Sequence, residues 1–354
     1  MKNVVVIEGD DASPEAMRPA VELIDSLDVD IQWLYPAVGE QAIKSSGHAF
    51  PDETRAVIDS SDTTFFGATS GSSTAALFYL RWGKQTFANV RPCRYLAGAT
   101  SPLSDPEGID FVIVRENLED LYMGLEGPLS DLEPLNLISR TARKPVNELG
   151  HGRYALKVIT EAGTRRVVEF AFDLARRRKG RRKVTCATKY NMLPGSDGYF
   201  RDIATEISRD FPDIEFETFI IDDFACRMIT HPQSLDVVVM PNLYGDIMSD
   251  GAAGLVGGLG LAASGCFGDN YAYFESAHGT APDIAGQNKI NPTATLLSGC
   301  MMLKYLGYSD ASDKLEAAIS EIYRASTVST PDQGGTATTT EFCRAVSEHL
   351  EFMS

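Results

Sequence analysis

The sequence predicts an α/β fold. Short runs of β-branched and aromatic residues alternate with longer stretches of helical periodicity, and each apolar run ends at a polar turn. A further observation narrows the class: no GxGxxG fingerprint follows the first predicted strand, so the usual Rossmann dinucleotide-binding arrangement is not expected.

Residues 4–7 form the first β-branched run, closing at Gly9-Asp10, and residues 14–27 then carry apolar side chains at helical spacing. Thr63–Phe66 before Gly67, residues 112–114 before Arg115, residues 184–187 before Thr188, and Val237–Met240 before Pro241 repeat the strand-then-turn pattern. Helices are predicted over 155–178 and over 199–210, the second stopping ahead of Pro212. Residues 128–148, rich in Pro, Asn and Ser, break the rhythm and predict an arm leaving the core. The glycine-rich stretch 251–265 follows an acidic helical segment and reads as close helix packing followed by a loop. The basic run RRRKGRRK at 176–183 reads as a solvated helix end, where cations are favoured, and not as a binding patch.

With 354 residues, 44% of them hydrophobic, the chain can bury one large core or two smaller ones. Its 49 acidic and 32 basic residues give a net charge of −17, which excludes nucleic acid and anionic membrane as general partners. An anionic ligand must therefore be held by a local cluster of Arg and Lys. The six cysteines lack CxxC or Cys/His spacing and predict reduced packing residues of a cytoplasmic protein. MKNVVVIEGDD does not read as a signal peptide, and no apolar run approaches the roughly 18 residues of a membrane span.

Several residues can carry chemistry. In NLYGDIMSDGAAG a helix would put Asp246 and Asp250 one turn apart on one face. With Asp222 as a third ligand they would suit a hard divalent ion, although spacing alone is equally consistent with acids facing water. Arg81, Arg91 and Arg115 stand at or near the ends of apolar segments, where a guanidinium is costly unless it meets an anion. Together they predict a substrate with several carboxylates; singly, each reads as a structural ion pair. Lys189, at a strand end in ATKYN, and Tyr122, in RENLEDLYMG, are candidate proton-transfer groups, with a surface lysine and a half-buried core tyrosine as the plainer alternatives.

These residues sit in LRWGKQTFANVRP (80–92), IDFVIVRENLEDLYMGLEG (109–127), VTCATKYN (184–191), DVVVMPNLYGDIMSDGAAGLVGGLGLAASG (236–265) and ESAHGTAPDIAGQNKINPTA (275–294). In order and wording these segments resemble the β-decarboxylating dehydrogenases of the isocitrate/isopropylmalate dehydrogenase family. The resemblance implies a two-domain fold, with 1–99 and 257–354 in a large cofactor-binding domain and 100–256 in a small one bearing the dimer interface and the arm. It implies a homodimer with shared active sites, each receiving Lys189 and Asp222 from the partner. It also implies that Arg81, Arg91 and Arg115 bind malate-like carboxylates. Asp222, Asp246 and Asp250 would hold Mg²⁺ or Mn²⁺, Lys189 would take the hydroxyl proton, and Tyr122 would protonate the enol carbon. In the loop 278–292, His278, Gly279 and nearby amides would hold adenosine and phosphate, and Asn291 would meet the adenine. NADP-using relatives place Lys-Tyr where this chain has Asp283-Ile284, so NAD is expected.

Two departures stand out. The family opening GDGIGPE is here GDDASPE, with two glycines replaced, which predicts altered geometry in the first turn; and Lys189 lies between Thr188 and Tyr190, where relatives commonly have His or Asp before and Ala or Gly after. The substrate depends on the helix before Arg81. Isocitrate enzymes place Ser and Asn at Ala75 and Leu77, whereas the apolar pair Leu77-Phe78 matches isopropylmalate enzymes, which differ by a Glu at Thr74. A charged substituent against Leu77 and Phe78 would be desolvated without a partner. A one-turn shift would instead bring Ser72, Ser73 and Thr74 to the pocket. The expected order is therefore a 3-isopropylmalate-like substrate, then isocitrate, then tartrate or D-malate, with a noncatalytic regulatory subunit of the same fold as the alternative from another class.

Overall fold

The structure, a computed structural model, describes residues 1–178 and 180–353. Ten strands form one sheet: β1 (Lys2–Ile7), β2 (Ile31–Leu34), β3 (Thr63–Phe66), β4 (Ala88–Arg94), β5 (Asp110–Glu116), β10 (Lys183–Thr188), β11 (Glu215–Ile220), β12 (Val237–Met240), β13 (Ala263–Phe267) and β14 (Ala272–Ser276). The short strands β6 (Glu126–Pro128), β7 (Ile138–Ser139), β8 (Lys144–Pro145) and β9 (Arg153–Ala155) make two separate two-stranded sheets. The helices are α1 (Ser13–Asp25), α2 (Gly39–Ser46), α3 (Asp52–Asp59), α4 (Thr74–Phe78), α5 (Glu161–Arg177), α6 (Asp197–Ile207), α7 (Ile221–Thr230), α8 (Asn242–Leu255), α9 (Thr293–Leu306), α10 (Ser309–Ala325) and α11 (Thr339–Met353).

The large sheet runs β11-β10-β12-β5-β4-β13-β14-β3-β1-β2. Strand β4 is antiparallel to both β5 and β13, and β13 is antiparallel to β14, whereas all other neighbours are parallel. Two parallel halves therefore point in opposite directions across an antiparallel centre. That is an α/β fold unlike the Rossmann arrangement. Strands such as β3 and β12 are buried at every position, as expected for sheet covered on both faces. One large apolar cluster joins α1, α9, α10 and α11, from the two chain ends, while another joins β5, β10, β12, α5 and α6, from the middle.

The predicted strands and helices recur with small shifts at their ends. The helix expected over 155–178 begins only at Glu161: Thr160 accepts a hydrogen bond from the Gly163 amide as its cap, and Ala155 pairs with Glu126 in β9. Arg91 lies inside β4 rather than after a strand. The glycine-rich stretch contains the last turn of α8 and a turn at Gly257 and Gly258, but it also contains the first three residues of β13. The stretch 128–148 lies outside the ten-stranded sheet, between β6 and β9, and carries the exposed side chains Leu135, Leu137 and Ile138. In the basic run, Arg176 and Arg182 meet Asp213, Arg178 meets Asp110 and Asp236, and Lys183 meets Glu217, so its cations are used locally. Lys179 lies outside the described residues. Among the described residues no helix is long and apolar enough to cross a membrane, and all six cysteines are free.

Candidate active site

Strand β5 carries Arg115 to its penultimate position, where the side chain is 1% exposed. Its Nε and Nη2 donate to Asn242 Oδ1 at 2.9 and 2.7 Å, and Nη1 donates to Asp246 Oδ1 at 2.5 Å. Both partners come from α8, which can lie close to β5 because its buried face is Gly245, Ser249, Ala252 and Ala253. A Cβ at Gly245 would meet the Arg115 stem at 2.6 Å, so glycine is what allows this approach. Asp246 and Asp250 share one face of α8, as their spacing predicts. The Tyr122 hydroxyl donates to Asp246 Oδ2, and the Arg115 guanidinium lies 5.0 Å from the Tyr122 ring centre. Arg91 reaches the same place from β4, donating to Ser249 Oγ at 2.8 Å and Asp250 Oδ1 at 3.0 Å.

Burial and neighbouring charges shift each group of this cluster differently. Burial, and then the neighbouring Arg91, push the Arg115 pKa down to about 10 even though Asp246 opposes the shift. Burial works against the Asp246 carboxylate, but Arg115 and Tyr122 overcome it and hold its pKa low. Asp250 is shifted the other way, upward, by burial and by Asp246 against the pull of Arg91. Burial and Asp246 also raise the Tyr122 phenol, which keeps its proton. Arg91 Nε is buried without a hydrogen-bond partner among the described residues. The site thus has guanidinium groups that gain from an added anion and a carboxylate that gains from an added cation.

Arg81 lies within a π-helical turn, Tyr79–Gly83, closed by the Lys84 amide on the Tyr79 carbonyl, a local distortion common at functional sites. Its Nε donates to the Tyr273 hydroxyl at 3.3 Å and its Nη2 lies 3.8 Å from Glu275 Oε1. One helical turn earlier, Phe78 is 54% exposed with its ring against Trp82, while Leu77 is half-buried against the cluster of Val5, Ile7 and Tyr273. The expected apolar pair is therefore split: Phe78 faces outward and Leu77 packs inward. Thr74 opens α4 and is half-buried.

Lys189 and Asp222 form a separate pair, Nζ to Oδ1 at 2.5 Å, at the C-terminal end of β10 and the first turn of α7. The hydrogen bond from Lys189 holds the Asp222 pKa low. Among the described residues no hydrogen bond or ion pair joins this pair to Asp246 or Asp250, and no three acidic, His or Cys side chains converge tightly enough within one chain to hold a metal ion. Tyr190 stacks on Arg201, whose guanidinium is 4.5 Å from the ring centre.

His278, Gly279, Ile284 and Asn291 line a cleft of about 440 Å³ together with Lys289 and Asp332. Burial lowers the His278 pKa, so the ring is neutral near pH 7, and its Nε2 is buried without a partner among the described residues. Asp283 is exposed on the turn Pro282–Ile284 and does not line the cleft itself. The Asn291 side chain is already engaged, donating to Asp332 Oδ2 at 3.0 Å and Tyr323 at 3.2 Å and accepting from the Thr293 amide at 2.9 Å. Contact of that amide group with an adenine would require exchange of these bonds.

Residues 3–346 match the family described as isocitrate/isopropylmalate dehydrogenase. The chain belongs to this family. It is 40% identical over 353 residues to a 3-isopropylmalate/3-methylmalate dehydrogenase of Methanocaldococcus jannaschii, covering 99% of both chains. It is 37% identical over 355 residues to an isocitrate/homoisocitrate dehydrogenase of Thermus thermophilus, covering 98% of both. Its fold superposes on the crystal structure of isocitrate dehydrogenase from Methylococcus capsulatus with a TM-score of 0.87 at 35% identity, covering 99% of each chain.

Within this family framework the opening GDDASPE keeps a tight turn without the two glycines. Asp11 adopts φ 53°, the left-handed conformation that glycine takes at least cost, and Ser13 is buried. Reasoning from sequence missed what the neighbouring carboxylates do. Asp10 accepts from the Ser70 amide at 2.8 Å and from Ser73 Oγ at 3.1 Å, which fixes the entry to α4. Glu15 accepts from the Gly286 amide at 2.5 Å and from the Asn288 amide, which fixes the 278–292 loop. The only signal in the sequence was the cluster of acids around the turn, whose partners lie 60 or more residues away.

Proposed function

We propose that this family member catalyses the NAD-dependent, divalent-metal-dependent oxidative decarboxylation of a 3-substituted malate, with a 3-isopropylmalate-like compound as substrate. The observation that carries this reading is the convergence of Arg91 and Arg115 on Asp246 and Asp250 beside the Tyr122 hydroxyl. Asp246 and Asp250, one turn apart on α8, supply oxygen ligands of the kind Mg²⁺ and Mn²⁺ prefer. Asp222 would complete the set from a second copy of the chain. When bound, these groups supply Lewis-acid polarisation of the substrate hydroxyl and a nicotinamide that accepts hydride from C2.

The chain's own residues do the rest. Arg81, Arg91 and Arg115 bind and orient the carboxylates, replacing water with guanidinium forks. Lys189 accepts the hydroxyl proton as hydride leaves C2. The C3–carboxylate bond then breaks, CO₂ departs with its electron pair left on the substrate, and Tyr122 delivers a proton to C3. Exposed Phe78 beside Arg81 favours an apolar 3-substituent over a third carboxylate. The exposed carboxylate of Asp283 next to the cleft favours the paired ribose hydroxyls of NAD over a 2′-phosphate. Separation of Lys189 and Asp222 from Asp246, with exposed Ile229 on α7, Ile247 on α8 and the apolar arm, supports a homodimer with shared sites. The proposed division into 1–99 with 257–354 and 100–256, with the site between them, is supported by the two apolar clusters, one drawn from the chain ends and one from the middle, and the free cysteines, five of them buried, suit a reducing cytoplasm.

Initial rates with NAD and Mn²⁺ over 3-isopropylmalate, isocitrate, homoisocitrate, tartrate and D-malate test this reading. The expected result is equimolar NADH and CO₂, fastest with 3-isopropylmalate. Preference for isocitrate would transfer the assignment to the tricarboxylate reading, and no turnover with any of the five would leave the regulatory-subunit reading in its place.

A further inference from the structure

Between Tyr122 and Lys189 lies a buried ionic cluster that the chemistry above does not use. Lys157, in the segment between β9 and α5, is 13% exposed, and its Nζ lies 2.6 Å from Asp197 Oδ1 and 3.4 Å from Asp120 Oδ1. Both carboxylates are fully buried. The same ammonium sits 4.2 Å from the centre of the Tyr244 ring. Among the described residues Lys157 is the only cation paired with either carboxylate. Two buried carboxylates with no counter-charge would be costly, so the fold has reason to keep this cation in place.

Each carboxylate also accepts from backbone next to a reacting group. Asp197 Oδ2 accepts from the amide of Lys189 at 2.7 Å, at the end of β10. Asp120 Oδ1 accepts from the Leu121 amide at 2.9 Å, one residue before Tyr122. Its Oδ2 accepts from the Leu243 amide at 3.0 Å, in the first turn of α8, upstream of Asp246. Asp120 itself has φ 67° and ψ −143°, a conformation that a non-glycine residue holds only when its surroundings impose it. The Asp120 amide donates to the Val158 carbonyl at 2.9 Å, the residue next to Lys157, which closes the loop of constraints.

We propose that Lys157 is a positioning residue which, through Asp120 and Asp197, fixes the Tyr122 turn, the start of α8 and the Lys189 strand end relative to one another. The roles of Tyr122 and Lys189 rest on the function proposed above; the positioning itself does not. In a dimer with shared sites, one cluster would serve its own site through Tyr122 and the partner's through Lys189.

The test compares Lys157→Met, which keeps the length of the side chain and removes its charge, with Lys157→Arg and the wild type. Hydrogen exchange read by mass spectrometry is the first measurement, because it needs no turnover. Lys157→Met should speed exchange in peptides covering 120–123, 187–191 and 241–246 and leave β4 unchanged. With the malate substrate, kcat should fall by at least about tenfold while KM moves less than about threefold, since the arginines that bind the carboxylates stand elsewhere. Lys157→Arg should recover part of both. Should Lys157→Met not fold, Lys157→Met with Asp197→Asn removes one charge of each sign and is read in the same way. Unchanged exchange in the three segments, or a loss of protection spread evenly over the molecule, overturns the proposal. So does a fall in kcat matched by equal changes in both KM values. If the wild type has no dehydrogenase activity, the exchange measurement still decides the positioning role, and it is the proposed function that fails.

Discussion

The Arg115–Asp246–Tyr122 cluster and the Lys189–Asp222 pair are built to different standards. Arg115 is 1% exposed and bonded on three of its nitrogens, whereas Asp222 is 69% exposed and meets one lysine. The first is finished within one chain. The side chains of the second are joined by that single ion pair, and a pair this open to solvent is worth little to stability. The difference teaches that burial and bonding mark the part of the site a chain completes alone, while the exposed, unfinished part is where a second copy would be expected.

The largest effect should come from the exposed pair. Lys189→Met should lower turnover by more than about a thousandfold with little change in thermal stability, because in the proposed reaction its side chain would handle a proton while supporting little structure. Mixing Lys189→Met with Tyr122→Phe after subunit exchange should restore roughly a quarter of wild-type activity, since half the dimers then hold one intact site. No recovery after demonstrated exchange would place both residues in the same chain's site and remove the comparison's central contrast.

The buried cluster should respond in both activity and stability. Arg115→Lys keeps the charge but cannot reproduce the fork on Asn242 and Asp246, so kcat/KM should fall by about 2–4 kcal/mol in transition-state terms and the melting temperature should drop. A change confined to activity would mean that Arg115 is not a structural member of the cluster.

The smallest effect is a pH dependence beside that cluster. Glu116, next to Arg115, is 1% exposed, and burial pushes its pKa up to about 7 although the Leu118 and Glu119 amides oppose the shift. Because the folded value lies above the unfolded one, the folded state holds the extra proton and the contribution to stability is present below about pH 4.5. It is lost as pH rises through about 7. Glu116→Gln should flatten the melting-temperature profile over that window; an unchanged slope would show that another group sets it.

Much of the fold was legible because a strand buried on both faces is written as a contiguous apolar run, as in Thr63–Phe66 and Val237–Met240. Strand β13, ASGCF, was hidden by its small residues, and the start of α5 by a helix-compatible stretch of which Ala155 pairs with β6 and Val158 bridges to Asp120. In the site, the α8 aspartates were readable because one helix sets both. Asp10, Glu15 and the Lys157 cluster were not, since their partners lie far along the chain and a carboxylate accepting backbone amides leaves no pattern in either sequence segment.

The most direct test is an anomalous difference map from crystals grown with Mn²⁺ and 3-isopropylmalate. A manganese peak is expected among the carboxylates of Asp246 and Asp250 from one chain and Asp222 from another, with the ligand's acid groups on Arg91 and Arg115. A clear map of bound ligand with no manganese there, or with manganese elsewhere, would contradict it.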